Sequence, residues 1–203
     1  MTDTAFTRAL CTASLLLAFA ARAAADEKAG PKAPPDEKAA MEAMTRAATP
    51  GEAHKRLDPL VGTFDASAKM WPAPGKPPEE SKGTSENKWV LGNRYVEQRY
   101  QGTFMGQPFN GIGYTGYDNV WKRYVSVWMD DAGTGMMVSS GKASGAHAVD
   151  THGTVYSPVT GKPERVTEKL TVADADHHTL EMWAPAPDGK PFKVMEIAYT
   201  RRK

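Results

Sequence analysis

The stretch from Trp89 to Gly141 constrains the fold most, because it reads as strand after strand with turn chemistry between. Aromatic and β-branched residues fill 89–104, 109–117 and 121–130, while Gly, Pro, Asn and Asp collect at 105–108, 118–119 and 131–135. That alternation of pleat-filling runs and turn formers is the signal of consecutive antiparallel hairpins. The same pattern extends both ways. Strands are expected at 62–71, 81–91, 94–104, 109–117, 121–130, 135–142, 146–156, 164–172, 179–184 and 192–201. The segments between them carry turn residues, among them Ser-Pro-Val-Thr-Gly-Lys-Pro at 157–163 and Pro-Asp-Gly-Lys-Pro at 187–191. Four prolines at 72–78 exclude that piece from a sheet interior.

About ten short strands without long intervening helices make an all-β antiparallel meander. One open sheet of that size would leave two edges able to template aggregation. Closure into a barrel removes them; a two-sheet sandwich is the alternative. Ahead of the strands, Asp36 can cap a helix running to about Ala48, with Met41, Met44 and Ala48 on one side, stopped by Pro50-Gly51. His54, Leu57 and Leu60 then recur at helical spacing in a second short turn, and this pair of apolar anchors, helix and turn, would suit a plug or lid packed on one end of the sheet.

The first 25 residues stand apart. Arg8 precedes an apolar stretch at 9–21 centred on Leu15-Leu16-Leu17, and Ala23-Ala24-Ala25 offers a small-residue cleavage site before Asp26. The stretch is too short to cross a bilayer and suits a signal-peptide core, which makes the expected address periplasmic or secreted; an uncleaved anchor is the competing reading. Cleavage takes Arg8, Arg22 and Asp3 from totals of 25 basic and 24 acidic residues, so 23 of each remain. It also removes Cys11, the single cysteine, so the exported chain relies on packing and not on a disulfide. Residues 26–35, with three prolines and no apolar pattern, read as a spacer. The balanced charge points away from nucleic acid, and no integral membrane segment is expected after cleavage.

Within the central block, Leu91-Gly92-Asn93-Arg94-Tyr95 is followed by Gly102, Gly106-Gln107-Pro108-Phe109, Gly111, Gly116-Tyr117-Asp118, Tyr124-Val125, Trp128, Asp130 and Gly133-Thr134-Gly135. With His54, Leu57, Leu60 and Gly62 upstream and Tyr199 and Arg201 at the end, this resembles a bacterial family known as domain-of-unknown-function family 1579, over about residues 51–203. Asn93 stands where that family commonly has a second glycine, and Phe64 where it commonly has a tryptophan. The resemblance implies a lipocalin-like (calycin-type) β-barrel, and brings neither an activity nor catalytic residues.

The chemistry-bearing candidates are few. Gly111-Ile112-Gly113-Tyr114-Thr115-Gly116 matches the G-x-G-x-x-G pattern, yet it lies in a strand and opens no helix, so bulges or room for a bulky neighbour explain it better than a nucleotide. His147 and His152, and likewise His177 and His178, are an odd number of residues apart, which sends them to opposite strand faces; no metal site follows. A haem is not expected, since there is no covalent attachment motif and no clear proximal histidine, and no other cofactor is implied. Asp130 and Asp131 point apart; Asp118 and Asp130 fit best as acceptors for turn N–H groups. No serine sits in a G-x-S-x-G elbow.

What remains is Arg94, Glu97, Arg99, Tyr114, Tyr117, Trp128 and Asp130 on three neighbouring strands. Facing a lumen, the aromatics would wall a cavity and the charged groups would fix the polar end of a small amphipathic ligand. Facing solvent, Arg94, Glu97 and Arg99 would be ordinary surface ion pairs, with Trp128 plain core. Three functions stay open: an exported carrier of a small amphipathic molecule, a module docking a protein partner through residues 26–50, and an enzyme with an acid–base pair drawn from Glu97, Tyr117 or Asp130.

Overall fold

The computed structural model describes residues 36–203. The signal segment, its cleavage site and the 26–35 spacer expected from the sequence lie outside the described residues. Ten antiparallel strands follow one another around a closed barrel: β1 (Gly62–Met70), β2 (Glu79–Val90), β3 (Tyr95–Phe104), β4 (Gln107–Asp118), β5 (Arg123–Asp130), β6 (Met137–Ala143), β7 (Ala148–Tyr156), β8 (Pro163–Val172), β9 (His177–Pro185) and β10 (Pro191–Arg201). Each strand pairs with its neighbours in sequence, and β1 closes the ring on β10 through seven residue pairs, from Phe64 opposite Arg201 to Met70 opposite Met195. No edge is left, so the barrel, not the sandwich, is the architecture.

The turns follow from local chemistry. Met105 and Gly106 both have positive φ (50° and 76°), as the mirror-image two-residue hairpin turn between β3 and β4 requires. At the β2–β3 turn Asn93 has φ 62°, a left-handed conformation that asparagine enters more cheaply than most side chains. The Asp118 carboxylate accepts the Val120 and Trp121 N–H groups at 2.7 and 2.8 Å, shaping the β4–β5 turn in the role expected of it.

One barrel end is stoppered. At the end of a short helix α1 (Glu37–Ala48), the Asn119 amide donates to the carbonyls of Ala47 and Thr49 at 3.1 and 2.8 Å. Its Met41 and Met44 stay exposed, so α1 is not part of the stopper. That role belongs to α2 (Glu52–Lys55) and the 3-10 turn Asp58–Leu60. Leu57 and Leu60 are buried there against Val96 and Tyr124, with Trp89, Tyr117 and Leu170 around them. Burying one such leucine contributes about 1.5–3 kcal/mol. The plug's polar backbone is satisfied by barrel side chains. Tyr124 Oη donates to Ala53 O (3.1 Å), Asn87 Nδ2 to Leu60 O (2.8 Å), and the Arg201 guanidinium to Val61 O and Pro59 O (2.7 and 2.9 Å). His54 is buried beside them, its Nδ1 accepting the Gly51 N–H at 3.1 Å and its ring edge-on to Tyr117. No helix among the described residues is long and apolar enough to cross a membrane.

Candidate functional site

Strand periodicity decides what faces the lumen. Val96 and Tyr100 belong to the inner core, so Gln98 between them points inward and Glu97 and Arg99 outward. Pairing carries that assignment around the ring. Gly113 lies opposite Gln98, Trp128 opposite Gly113, and Met137 opposite Trp128. On the far wall Thr151 lies opposite Glu168, and Glu168 opposite Met182.

These inner faces enclose a cavity of about 730 Å³. Its floor is Leu57 and Leu60 of the plug, and its wall continues to Ala132, Gly133, Gly135, Met136 and Tyr156, all solvent-exposed. The hollow is therefore closed at one end and open at the other. Aromatic rings from Tyr100, Phe104, Phe109, Tyr124 and Trp128 form much of one side. Five methionines, Met70, Met136, Met137, Met182 and Met195, line it as well. Three of these are direct neighbours across strands: Met70 is opposite Met195, and Met195 is opposite Met182. Thioether side chains are flexible and polarizable, and they form an apolar wall that adapts to different shapes.

Space for the Trp128 indole is made by glycine. A Cβ on Gly111 would stand 2.6 Å from Trp128 Cη2 and 3.0 Å from Cε2, and closer still to Cζ2; one on Gly113 would stand 2.9 Å from Cε3. The ring lies flat on that bare wall, and its Nε1–H donates to Asp130 Oδ2 at 2.8 Å. The G-x-G-x-x-G stretch is thus the seat of a tryptophan, as the room-for-a-neighbour reading expects.

The lumen's polar groups are sparse. Gln98 Nε2 donates to Ser85 Oγ (2.9 Å) and Tyr199 Oη (3.3 Å), while Ser85 Oγ–H donates to Asn87 Oδ1 (2.7 Å). Glu168 is 6% exposed, and its Oε2 accepts the Thr151 hydroxyl at 2.8 Å. Asp130 also accepts the Ala132 N–H on Oδ1 (3.1 Å), again as a turn acceptor. His178 is stacked on Tyr199 with ring centroids 4.4 Å apart, and Phe64 meets it edge-on at 4.6 Å. Its Nδ1 is buried without a hydrogen-bond partner among the described residues. Burial, aided by the Arg201 charge, lowers the His178 pKa from 6.5 to about 4, so the ring is neutral near pH 7. Tyr199 is shifted upward, also by burial.

Of the seven residues singled out in the sequence, Trp128 and Asp130 reach this cavity. Tyr117 packs into the plug beside His54 and Tyr124. Arg94 stays in the β2–β3 turn, donating to Leu91 O at 2.9 Å. Glu97, Arg99 and Tyr114 assemble on the outer face. There the Glu97 carboxylate accepts from Arg99 Nε at 2.8 Å and Tyr114 Oη at 2.9 Å, with Lys88 Nζ at 3.4 Å. The Tyr114 and Arg99 bonds hold the Glu97 pKa below the usual carboxylate range. Glu168, Thr151, Gln98 and His178 were not singled out. Glu168 did leave a signal, since it interrupts the inward file Val166, Leu170, Val172 with a carboxylate. Among the described residues, no group of three or more His, Cys, Asp or Glu side chains stands where it could hold a metal ion.

A plugged, closed ten-strand antiparallel barrel with a one-ended lumen is the class of protein this geometry defines. The family described as "Protein of unknown function (DUF1579)" matches residues 49–201, and the chain belongs to it. Among solved structures, Rv2717c from M. tuberculosis is similar at 15% identity, with a TM-score of 0.57, over 76% of this chain and 100% of that one. A redesigned β-barrel aligns at 15% identity and a TM-score of 0.39, over 74% of this chain and 96% of its own. The likeness to Rv2717c concerns the fold alone. No curated protein matches the chain.

Proposed function

We propose that this protein is an exported carrier that takes up one small hydrophobic or amphipathic molecule in its barrel lumen and performs no covalent chemistry on it. The observation that carries the reading is the cavity itself: about 730 Å³, walled mainly by aromatic, aliphatic and thioether side chains, plugged at one end and open at the other. That volume lies in the range of pockets that engulf drug-sized ligands, and apolar walls with a few placed polar groups are their usual composition. A lumen destined only for stability would be filled to crystal-like density. Export rests on the apolar 9–21 stretch and the Ala23-Ala24-Ala25 site. The test is titration of the purified protein with the neutral probe N-phenyl-1-naphthylamine. Saturable one-to-one enhancement of its fluorescence, lost when Thr115 inside the lumen is replaced by Trp in a variant that still folds, supports the reading. A folded wild-type protein that leaves the probe's emission unchanged overturns it.

A further inference from the structure

The charges inside the barrel are one-sided. Glu168 and Asp130 line the cavity, and no lysine or arginine among the described residues does. Neither carboxylate is among the ion pairs of the described residues. Glu168 is the more telling of the two. It is 6% exposed, and the hydroxyl of Thr151, a neutral group, donates to its Oε2. A carboxylate withdrawn from bulk water without a cation beside it has lost hydration that one hydroxyl replaces only in part. The remaining basic candidate in the lumen, His178, is held neutral near pH 7 by burial. By contrast, the barrel's outer face pairs its carboxylates, Glu97 with Arg99 and Lys88, and Glu181 with Lys193.

Carriers of fatty-acid-like anions need the opposite arrangement, a cation or a fork of N–H donors at the end of the pocket. Here an anionic head would enter a low-dielectric hollow already holding two negative groups, where like charges repel strongly. A cationic head meets the complementary field. It also meets the aromatic lining, Trp128 foremost, and aromatic rings attract organic cations through their quadrupoles. Building on the carrier reading above, we infer that the lumen selects amphiphiles with a cationic head, an amine or quaternary ammonium on an apolar body, over neutral and anionic amphiphiles of equal length. Glu168 is the principal contact for the head, and Asp130 at the mouth is a second one met on entry.

The experiment compares three twelve-carbon probes below their micelle concentrations, by isothermal titration calorimetry: dodecyltrimethylammonium, dodecanol and dodecanoate. The expected order is cation, alcohol, anion, with cation over alcohol by about tenfold or more, a factor that corresponds to about 1.4 kcal/mol. Glu168→Gln, which keeps the side-chain shape and an acceptor for Thr151, should bring the cation down to the affinity of the alcohol while leaving dodecanol binding in place. Glu86→Gln, an exposed carboxylate on the outer face of β2, should leave the order as in wild type. Equal affinities for the three probes, tightest binding of dodecanoate, or an unchanged cation preference in Glu168→Gln would each overturn the inference and leave the carrier reading standing. Failure of all three probes to bind a folded protein would overturn both.

Discussion

Gly111→Ala tests the inner wall at its tightest point. The backbone of Gly111 lies outside the positive-φ region, so alanine fits its conformation, and a glycine-to-alanine change in such a strand would by itself stabilise by about 0.4–1 kcal/mol. The obstacle is the Trp128 ring. Its Cη2 and Cε2 stand 2.6 and 3.0 Å from where the new methyl would be, far inside ordinary contact distance. The indole can escape only into the cavity, and in doing so it gives up the 2.8 Å bond from Nε1 to Asp130. Overpacking costs about 1–3 kcal/mol, and the lost bond about 1 kcal/mol. After the alanine gain is subtracted, a net loss of about 2 kcal/mol is expected, which at a slope of about 2 kcal/mol/M lowers the urea midpoint by about 1 M. Gly135→Ala supplies the control, because a Cβ there meets nothing within 4 Å and φ is again not positive. The displaced ring also occupies space meant for a guest, so probe binding should weaken in parallel. An unchanged urea midpoint in Gly111→Ala, together with unchanged probe binding, would show that Trp128 does not lie on that wall and that the inward register of β4 and β5 is wrong.

Two further perturbations follow from the same packing. His178 has its folded-state pKa depressed from 6.5 to about 4, so on acidification the unfolded chain takes up a proton that the folded chain refuses. Stability should be fully present above pH 6.5, fall by about 3 kcal/mol as pH drops toward 4, and level off below that; His178→Phe should remove this part of the slope in urea titrations across the range. Arg201→Lys should destabilise by about 1–3 kcal/mol, because an ammonium cannot reproduce the fork that reaches Val61 O, Pro59 O and Ala175 O, and chemical denaturation reads the loss directly.

Much of the fold is legible in the residues themselves. Each of the ten strands lies within two residues of where pleat-filling runs and turn formers place it, because those runs are short and punctuated by Gly, Pro, Asn and Asp. The plug is legible too, since His54, Leu57 and Leu60 recur at helical spacing and all three are buried. The site is harder to read, for a physical reason. In β5, Tyr124 and Trp128 alternate with Val125, Val127 and Met129, so hydrophobicity gives no direction inward. In β3, Tyr95, Glu97 and Arg99 form a face as aromatic and charged as a binding wall, yet they lie outside, and only the cross-strand register reveals it. Glu168 and His178 are polar residues flanked by apolar ones on the same faces of β8 and β9, and their meaning depends on strands far away in sequence.

Whether the plugged barrel holds a guest is answered most directly by native mass spectrometry of the protein isolated from cells without denaturation. A mass excess equal to one small molecule per chain is expected, released on activation in the gas phase and missing from a folded Thr115→Trp variant. A bare chain mass for wild type, persisting after incubation with dodecyltrimethylammonium and dodecanol, would mean that the hollow is not a binding site.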